Sequence, residues 1–175
     1  MGTWFKFELN LCRVLIYSKH TGITRSCYPS ITAHTDQLQS VLNAAARSIA
    51  GLRLSDHITD TLANFNWLKV PERIHFNLAT IIYRSLNGTV PRYLAADLRR
   101  LSDMPSRRRL RSSLTDQLDV RQSQCSTVGD RAFAVAGARL WNRLPHDIVA
   151  SDTLSHFRRG LKTFLFRQSY PSILF

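Results

Sequence analysis

The chain of 175 residues has room for one ordinary domain or two very small ones. Apolar residues make up 44% and charged residues 21%, which argues against a wholly disordered chain. The charge is unusual, because 24 Lys and Arg face 12 Asp and Glu, and 20 of the cations are arginine. A guanidinium grips phosphate through two parallel hydrogen bonds. The composition therefore favours a polyanionic partner, most simply a nucleic acid, with an arginine-rich codon bias as the alternative.

Cysteine usage and hydropathy indicate the cellular compartment in which the protein is found. Cys12, Cys27 and Cys125 are odd in number and widely spaced, which fits neither a zinc site nor a disulfide framework. No apolar run approaches the roughly 20 residues of a membrane-spanning helix. Lys6 and Glu8 interrupt the apolar N-terminal segment, which excludes a typical signal peptide. We expect an intracellular protein of the nucleus or cytoplasm, with no membrane partner.

Residues 1–35 form a segment of their own, in which a strand-like alternation gives way to loop residues. From Asp36 onward the apolar spacing becomes that of helices. The first helix is predicted to start at a cap on Thr35 or Asp36 and to end at Gly51. Its apolar face comprises Leu38, Val41, Leu42, Ala45 and Ile49.

Three further helices are predicted before residue 99. A short one follows a cap at Ser55 or Asp56 and buries Ile58, Leu62 and Phe65. A longer one takes Pro71 as its first residue and stops at Asn87-Gly88. Pro91 opens another short helix through Tyr93, Leu94 and Leu98. The longer helix has an apolar face made of Ile74, Leu78, Ile81, Ile82 and Leu86.

Residues 99–126 read as an exposed basic linker, with room for one short strand pairing. Two helices follow in residues 127–175. Asp130 is the predicted cap of the first, which ends before Pro145, and Ser151 or Asp152 that of the second. The first carries Phe133, Val135, Leu140 and Trp141, and the second buries Leu154, Phe157, Leu161, Phe164 and Leu165. The predicted fold is mainly α: an irregular bundle of about five to seven helices with a basic loop.

The sequence offers no catalytic or metal-binding constellation. Phosphoryl transfer needs carboxylates that hold two metal ions together, but there is no Asp-Asp or Asp-x-Asp. The closest acids, Asp116 with Asp119 and Asp56 with Asp60, are interpreted as helix caps or local ion pairs. The histidines form no metal-ligand spacing, and hydrolase and phosphate-loop motifs are missing. We therefore predict no catalytic residue, no metal and no cofactor.

The basic features are more informative. Runs of charge are often merely solvated, but an arginine cluster flanked by serines also suits phosphate. The opposite face of the last helix carries further cations. The predicted nucleic-acid-binding residues are Arg99, Arg100, Arg107, Arg108, Arg109, Arg111, Arg158, Arg159 and Lys162. Five aromatic residues at helical spacing can stack on bases, although core packing is favoured for them: Trp67, Tyr83, Tyr93, Phe133 and Trp141.

One helix and the segments after it form a series in a fixed order. The helix reads QLQSVLNAAAR over residues 37–47. The following segments are HIT (57–59), WLKV (67–70), RI (73–74), YRSLNG (83–88), PRYL (91–94), RLRS (109–112), GDRAF (129–133), LWNRLP (140–145), LSHF (154–157) and LKTFLF (161–166). The whole series resembles the C-terminal region of reverse transcriptases from non-LTR retrotransposons of the jockey and chicken-repeat type.

The resemblance implies a position after the polymerase palm. Residues 36–98 would be a thumb-like part, residues 99–126 the basic linker and residues 127–175 the C-terminal helical part. It implies sequence-tolerant handling of RNA, an RNA–DNA hybrid or DNA. The family's catalytic motif, an aromatic and a small residue before Asp-Asp, has no counterpart, so the expected product is a non-catalytic fragment of a larger polymerase. Residues 1–35 match poorly, as in a truncated copy.

Two alternatives stay open. The chain can be a host-retained interaction module that docks a protein, or associates with itself, through exposed apolar helix faces. It can also be the product of a pseudogene without function.

Overall fold

The computed structural model describes residues 31–103, 116–122 and 132–171, with side chains from His34 onward. Within these ranges the chain is mainly helical, as the sequence predicts, and the only strand-like pairing is an isolated antiparallel bridge between Arg100 and Leu118. The seven α-helices of the described part are α1 (Ile31–Ala50), α2 (Thr59–Asn64), α3 (Val70–Leu86), α4 (Arg92–Ala95), α5 (Phe133–Trp141), α6 (His146–Val149) and α7 (Leu154–Ser169), with a 3-10 turn at Leu101–Asp103.

The described residues divide into two compact units that interleave along the chain. The larger unit contains residues of Asn77–Gly160, and the smaller unit contains residues 31–76 and 161–171. Each unit has its own buried side chains.

The end of α1 in the smaller unit is set by a glycine. Gly51 has a φ of +65°, a left-handed conformation that costs glycine little. The next N–H, of Leu52, donates to the carbonyl of Arg47 at 3.0 Å and satisfies one of the last free carbonyls of the helix. The predicted end at Gly51 is confirmed.

The predicted caps at the starts of α1 and α2 are wrong. Helix α1 begins at Ile31, so Thr35 and Asp36 lie inside it, where the amides that a cap would satisfy are already bonded. Helix α2 begins at Thr59, and its N-cap Ile58 makes no side-chain bond. The carboxylate of Asp56 instead accepts the backbone N–H of Arg53 at 2.8 Å, which closes the turn before the helix.

The core of the smaller unit lies where α1, α2 and the end of α7 meet. Its fully buried members are Ala46, Leu62, Ala63 and Tyr170, with Leu42, Ile58, Phe65, Trp67 and Phe166 packed partly buried against them. The phenolic O–H of Tyr170 donates to the carbonyl of Trp67 at 2.7 Å, so two sites 103 residues apart in sequence are tied together.

Only one edge of the predicted apolar face of α1 is covered. Leu42 packs against the core, and its neighbour one turn on, Ala46, is completely buried. Val41 and Ile49 remain 65% and 64% exposed. The apolar spacing of α1 therefore predicts a wider buried face than the one that α2 covers.

Helix α3 begins one residue before the predicted start and ends as predicted. The N–H of Val70 donates to the side-chain carbonyl of Gln39 at 2.8 Å, which satisfies an amide at the helix start. At the other end Gly88 has a φ of +69°, and the N–H of Thr89 donates to the carbonyl of Arg84 at 2.9 Å. Of the five residues predicted to face the core, Ile82 is fully buried and the other four are half-buried.

An aromatic stack lies at the centre of the larger unit. The ring of Phe157 lies 4.4 Å from that of Tyr83 and 5.8 Å from that of Trp141, nearly parallel to both. All three residues are at least nine-tenths buried. Other buried apolar residues of this unit are Ala79, Ile82, Leu98, Leu118, Val135, Ala138 and Ile148.

The predicted caps of the last helices are also displaced. The N-cap of α5 is Ala132, which makes no side-chain bond, and Asp130 lies outside the described residues. The start of α7 is capped by Thr153, whose hydroxyl accepts the N–H of His156 at 3.3 Å. The carbonyl of Ser151 accepts the hydroxyl of Tyr83 instead. Phe157, Leu161 and Leu165 of α7 are buried as predicted, while Leu154 and Phe164 are half-buried.

Two helical glycines of the larger unit provide a matched test of packing. A Cβ at Gly137 would lie 3.2 Å from Cδ1 of Ile82, whereas a Cβ at Gly160 would make an ordinary 3.6 Å contact with Ile148. We expect Gly160→Ala to raise the free energy of unfolding by about 0.5–1 kcal/mol through helix propensity. Gly137→Ala should gain less or lose stability, because the fully buried Ile82 must move. Urea unfolding followed by circular dichroism measures both, and equal gains would contradict the contact at Gly137.

Tyr170 predicts a pH dependence in the smaller unit. Burial raises the pKa of its phenol to about 12, with Glu72 acting in the same direction and Arg73 opposing. The fold therefore favours the neutral phenol, and the stability this gives is complete below pH about 10 and lost as the pH rises from about 10 to about 12. Tyr170→Phe should cost about 1 kcal/mol at neutral pH for the bond to Trp67. The fall in unfolding free energy above pH about 10 should be shallower in the variant, and parallel urea-midpoint curves for the two proteins would refute the assignment.

Candidate nucleic-acid interface

A short ladder in the larger unit pairs the start of the basic linker with residues 117–119. The N–H of Leu101 donates to the carbonyl of Gln117 at 2.9 Å, and the N–H of Asp119 donates to the carbonyl of Arg99 at 2.8 Å. These bonds flank the bridge between Arg100 and Leu118. The expected short strand pairing within residues 99–126 is thus present, and we call residues 99–101 and 117–119 the ladder.

Helix α5 holds the second side of the ladder through side chains. The amide of Asn142 donates to the carbonyl of Leu118 and accepts its N–H, both at 2.9 Å. A side-chain amide can pair in this way with both polar groups of one residue, because it carries a donor and an acceptor side by side. The indole N–H of Trp141 also donates to the carbonyl of Asp116 at 3.0 Å. Leu118, only 1% exposed, is thereby fixed in place.

The ladder defines where the arginine cluster begins and ends. Residues 102–116 connect its two sides, and antiparallel pairing keeps paired backbones about 5 Å apart. Residues 104–115 carry four arginines and no acid. These four predicted binding residues, Arg107, Arg108, Arg109 and Arg111, lie outside the described residues.

The two predicted arginines on the ladder have different surroundings. Arg99 is exposed, whereas Arg100 is half-buried and lines a cavity. Neighbouring residues of an extended segment point to opposite sides, which accounts for the difference. Arg99 therefore presents its charge to solvent, a few residues before the arginine cluster in sequence. Arg100 instead belongs to the wall of the cavity.

The remaining predicted cations lie on α7. Arg158 is half-buried, and its Nε is enclosed without a hydrogen-bond partner in the described part of the protein. Arg159 and Lys162 are exposed. Helical spacing puts Lys162 one turn from both arginines. Arg158 and Arg159 are residues of the larger unit and Lys162 of the smaller one, so the described site residues form two sets, one on the ladder and one on α7.

The aromatic residues divide into core and surface. Tyr83 and Trp141 are 7% and 4% exposed, which confirms core packing for both, and Trp67 and Phe133 are half-buried. The prediction is wrong for Tyr93, which is 67% exposed. The four-residue helix α4 has no buried residue, so it offers Tyr93 no core to enter. An exposed ring of this kind is available for stacking on a base.

A cavity of about 340 Å³ adjoins the ladder. The end of α3, the ladder, α5 and the segment between α6 and α7 all contribute to its wall. It is lined by Tyr83, Leu86, Asn87, Arg100, Asp116, Trp141, Val149, Ala150, Ser151 and Asp152. Sequence reasoning missed this site, because Asp116 was read as a cap or ion-pair partner and its neighbours in the cavity come from distant segments.

The described ranges contain neither a metal-binding cluster nor a membrane-spanning helix. No group of three or more His, Cys, Asp or Glu side chains there is arranged to hold a metal ion. None of the helices in those ranges has both the length and the apolar character needed to cross a bilayer.

Comparisons with protein-family models, with curated proteins and with solved structures find no match to this chain.

The two bonds from Asn142 make a testable contribution to stability. Asn142→Ala removes the partners of the Leu118 N–H and carbonyl, and we expect the free energy of unfolding to fall by about 1–3 kcal/mol. Asn142→Asp retains an acceptor for the N–H but places a second acceptor oxygen against the Leu118 carbonyl, so we expect its free energy of unfolding to fall at least as much as that of Asn142→Ala. Gln168→Ala on the exposed side of α7 is the control. Urea denaturation compares the four proteins, and an Asn142→Ala variant as stable as the control would contradict the role given to this side chain.

Proposed function

We propose that this chain is the C-terminal part of a non-LTR retrotransposon reverse transcriptase that binds nucleic acid through its arginines and does not polymerise on its own. The observation that supports it most is the ladder, which holds together the ends of a segment with four arginines and no acid. The ordered series of segments between residues 37 and 167 supports the lineage. Its site of action would be intracellular, where RNA and RNA–DNA hybrids are present.

Electrostatics would supply most of the affinity. Each arginine that neutralises a phosphate releases a counterion, so log affinity falls with log salt by about 0.7 per contact on a single strand and about 0.9 on a duplex. Five contacts, from the cluster of four with Arg99, would give a slope of about −3.5 on single-stranded RNA. Phosphate contacts carry no sequence information, so binding should tolerate any sequence.

We expect no polymerase activity, because the chain lacks the catalytic motif that the family uses. Nucleotidyl transfer depends on adjacent carboxylates that hold two metal ions, and this chain has no Asp-Asp pair. The chain would bind the nucleic acid without catalysing nucleotidyl transfer.

A second candidate function is protein interaction through α1. Val41 and Ile49 are 65% and 64% exposed on this helix, and Leu54 just after it is 89% exposed. Scattered exposed apolar residues are common, but two on one helix face extend the stripe of which Leu42 is the covered edge. Self-association that depends on protein concentration and ignores added RNA would favour this candidate.

The arginine cluster provides the test of the first candidate. A variant in which Arg107, Arg108, Arg109 and Arg111 are all glutamine should bind single-stranded RNA at least tenfold more weakly near physiological salt. Its salt slope should be shallower by about 3, because four phosphate contacts are lost. Fluorescence anisotropy with a labelled RNA, repeated over a range of salt concentrations, measures both quantities, and circular dichroism verifies that the variant is folded.

The matched control removes the same charge from other exposed positions. Its four substitutions to glutamine are at Arg53, Arg92, Arg143 and Arg167, all solvent-exposed in the described part. This control should retain most of the affinity and of the slope. Equal losses in the two variants would mean that net charge alone attracts RNA, and an unchanged slope in the cluster variant would refute the proposed interface.

A further inference from the structure

Three charged side chains line the cavity beside the ladder. Arg100 reaches it from the ladder, Asp116 precedes the second side of the ladder, and Asp152 precedes α7. No hydrogen bond or ion pair joins these three side chains to other residues in the ranges that the structure describes. Charged groups gathered around one cavity without partners are available to a ligand.

The other polar groups of the wall hold it in shape. The hydroxyl of Tyr83 donates to the carbonyl of Ser151 at 2.8 Å, and the indole of Trp141 donates to the carbonyl of Asp116 at 3.0 Å. The amide of Asn87 donates to the carbonyl of Tyr83 at 2.8 Å. Both aromatic rings stack on Phe157. The wall is therefore built from bonded groups, and the charged groups are arranged on it.

The charge of the described cavity wall disfavours a phosphate. Among the described lining residues, two carboxylates and one guanidinium give a net charge of −1, which repels an anion. A neutral ligand that offers acceptors to the guanidinium and donors to a carboxylate satisfies the same groups without this cost. The cavity volume of about 340 Å³ is at the lower end of the range for small-molecule sites, about 300–1,000 Å³.

Guanine has this pattern of donors and acceptors. Its O6 and N7 accept two hydrogen bonds from one arginine, and its exocyclic amine and ring N–H are donors that a carboxylate can accept. Adenine presents an amine where the guanidinium requires an acceptor. We propose that this cavity binds a guanine base, with Arg100 on O6 and N7 and with Asp116 or Asp152 on the donor edge.

The base can come from a free nucleoside or from an unpaired guanine in RNA. In the second case the inference rests on the proposed function and adds to it a preference for guanine at one position of an otherwise sequence-tolerant interface. Unpaired bases in single strands expose the edges needed for such recognition.

The test is calorimetric titration of the intact chain with guanosine and with adenosine. Guanosine should bind about 10- to 100-fold more tightly, the discrimination typical of one good bidentate pair. Arg100→Gln should abolish the difference in affinity between the two nucleosides. Either Asp116→Asn or Asp152→Asn should weaken guanosine binding at least tenfold. The controls Arg92→Gln and Asp147→Asn change exposed residues outside the cavity and should have no effect. Equal affinities for the two nucleosides would overturn the proposal. So would an Arg100→Gln variant that circular dichroism shows to be folded and that still prefers guanosine.

Two RNA arms separate this inference from the proposed function. A uridine oligomer with one central guanine should bind more tightly than the same oligomer with adenine at that position. If both oligomers bind equally with a steep salt slope, the guanine site is refuted and the electrostatic function stands. If guanosine binds selectively but neither oligomer binds, the site is supported for a free nucleoside and the nucleic-acid function is refuted.

Discussion

Two hydrogen bonds from one side-chain amide organise the larger unit. Asn142 satisfies both backbone groups of the buried Leu118, and this fixes the second side of the ladder against α5. The ladder in turn sets where the arginine cluster leaves and rejoins the described chain, and it positions Arg100 and Asp116 on the cavity wall. Both proposals for this protein thus depend on one contact between residues 24 positions apart in sequence.

Charge and apolar burial are distributed differently along the chain. The aromatic stack of Tyr83, Phe157 and Trp141 is buried in the larger unit, while Arg99, Arg159 and Lys162 are exposed. No Lys or Arg of the described ranges is among the buried residues, so the exposed cations can vary in position without loss of fold. In the proposed function, such cations would contact phosphates without reading sequence.

Two glycines correctly predicted the ends of α1 and α3, whereas α4 ends at Ala95 and does not reach the predicted Leu98, and most predicted caps at helix starts are wrong. Gly51 and Gly88 adopt the expected left-handed conformations. Their low energy there depends only on the missing Cβ of glycine, which is a local property of the residue. The starts depend on which neighbour reaches the free amides, as when Gln39 satisfies Val70 from 31 residues away. The roles of Asn142, Asp116 and Asp152 likewise depend on distant partners, and no spacing rule carries that information. The reverse transcriptase lineage stays a prediction from the series of segments.

Photocrosslinking to RNA is the decisive test of the proposed arginine interface. The intact chain would be irradiated with single-stranded RNA that carries 4-thiouridine, and the crosslinked peptides would be mapped by mass spectrometry. We expect crosslinks concentrated between residues 93 and 121, which include Tyr93, the ladder and the arginine cluster, and we expect their loss as salt is raised. Crosslinks concentrated in residues 31–76 instead, or insensitive to salt, would contradict it.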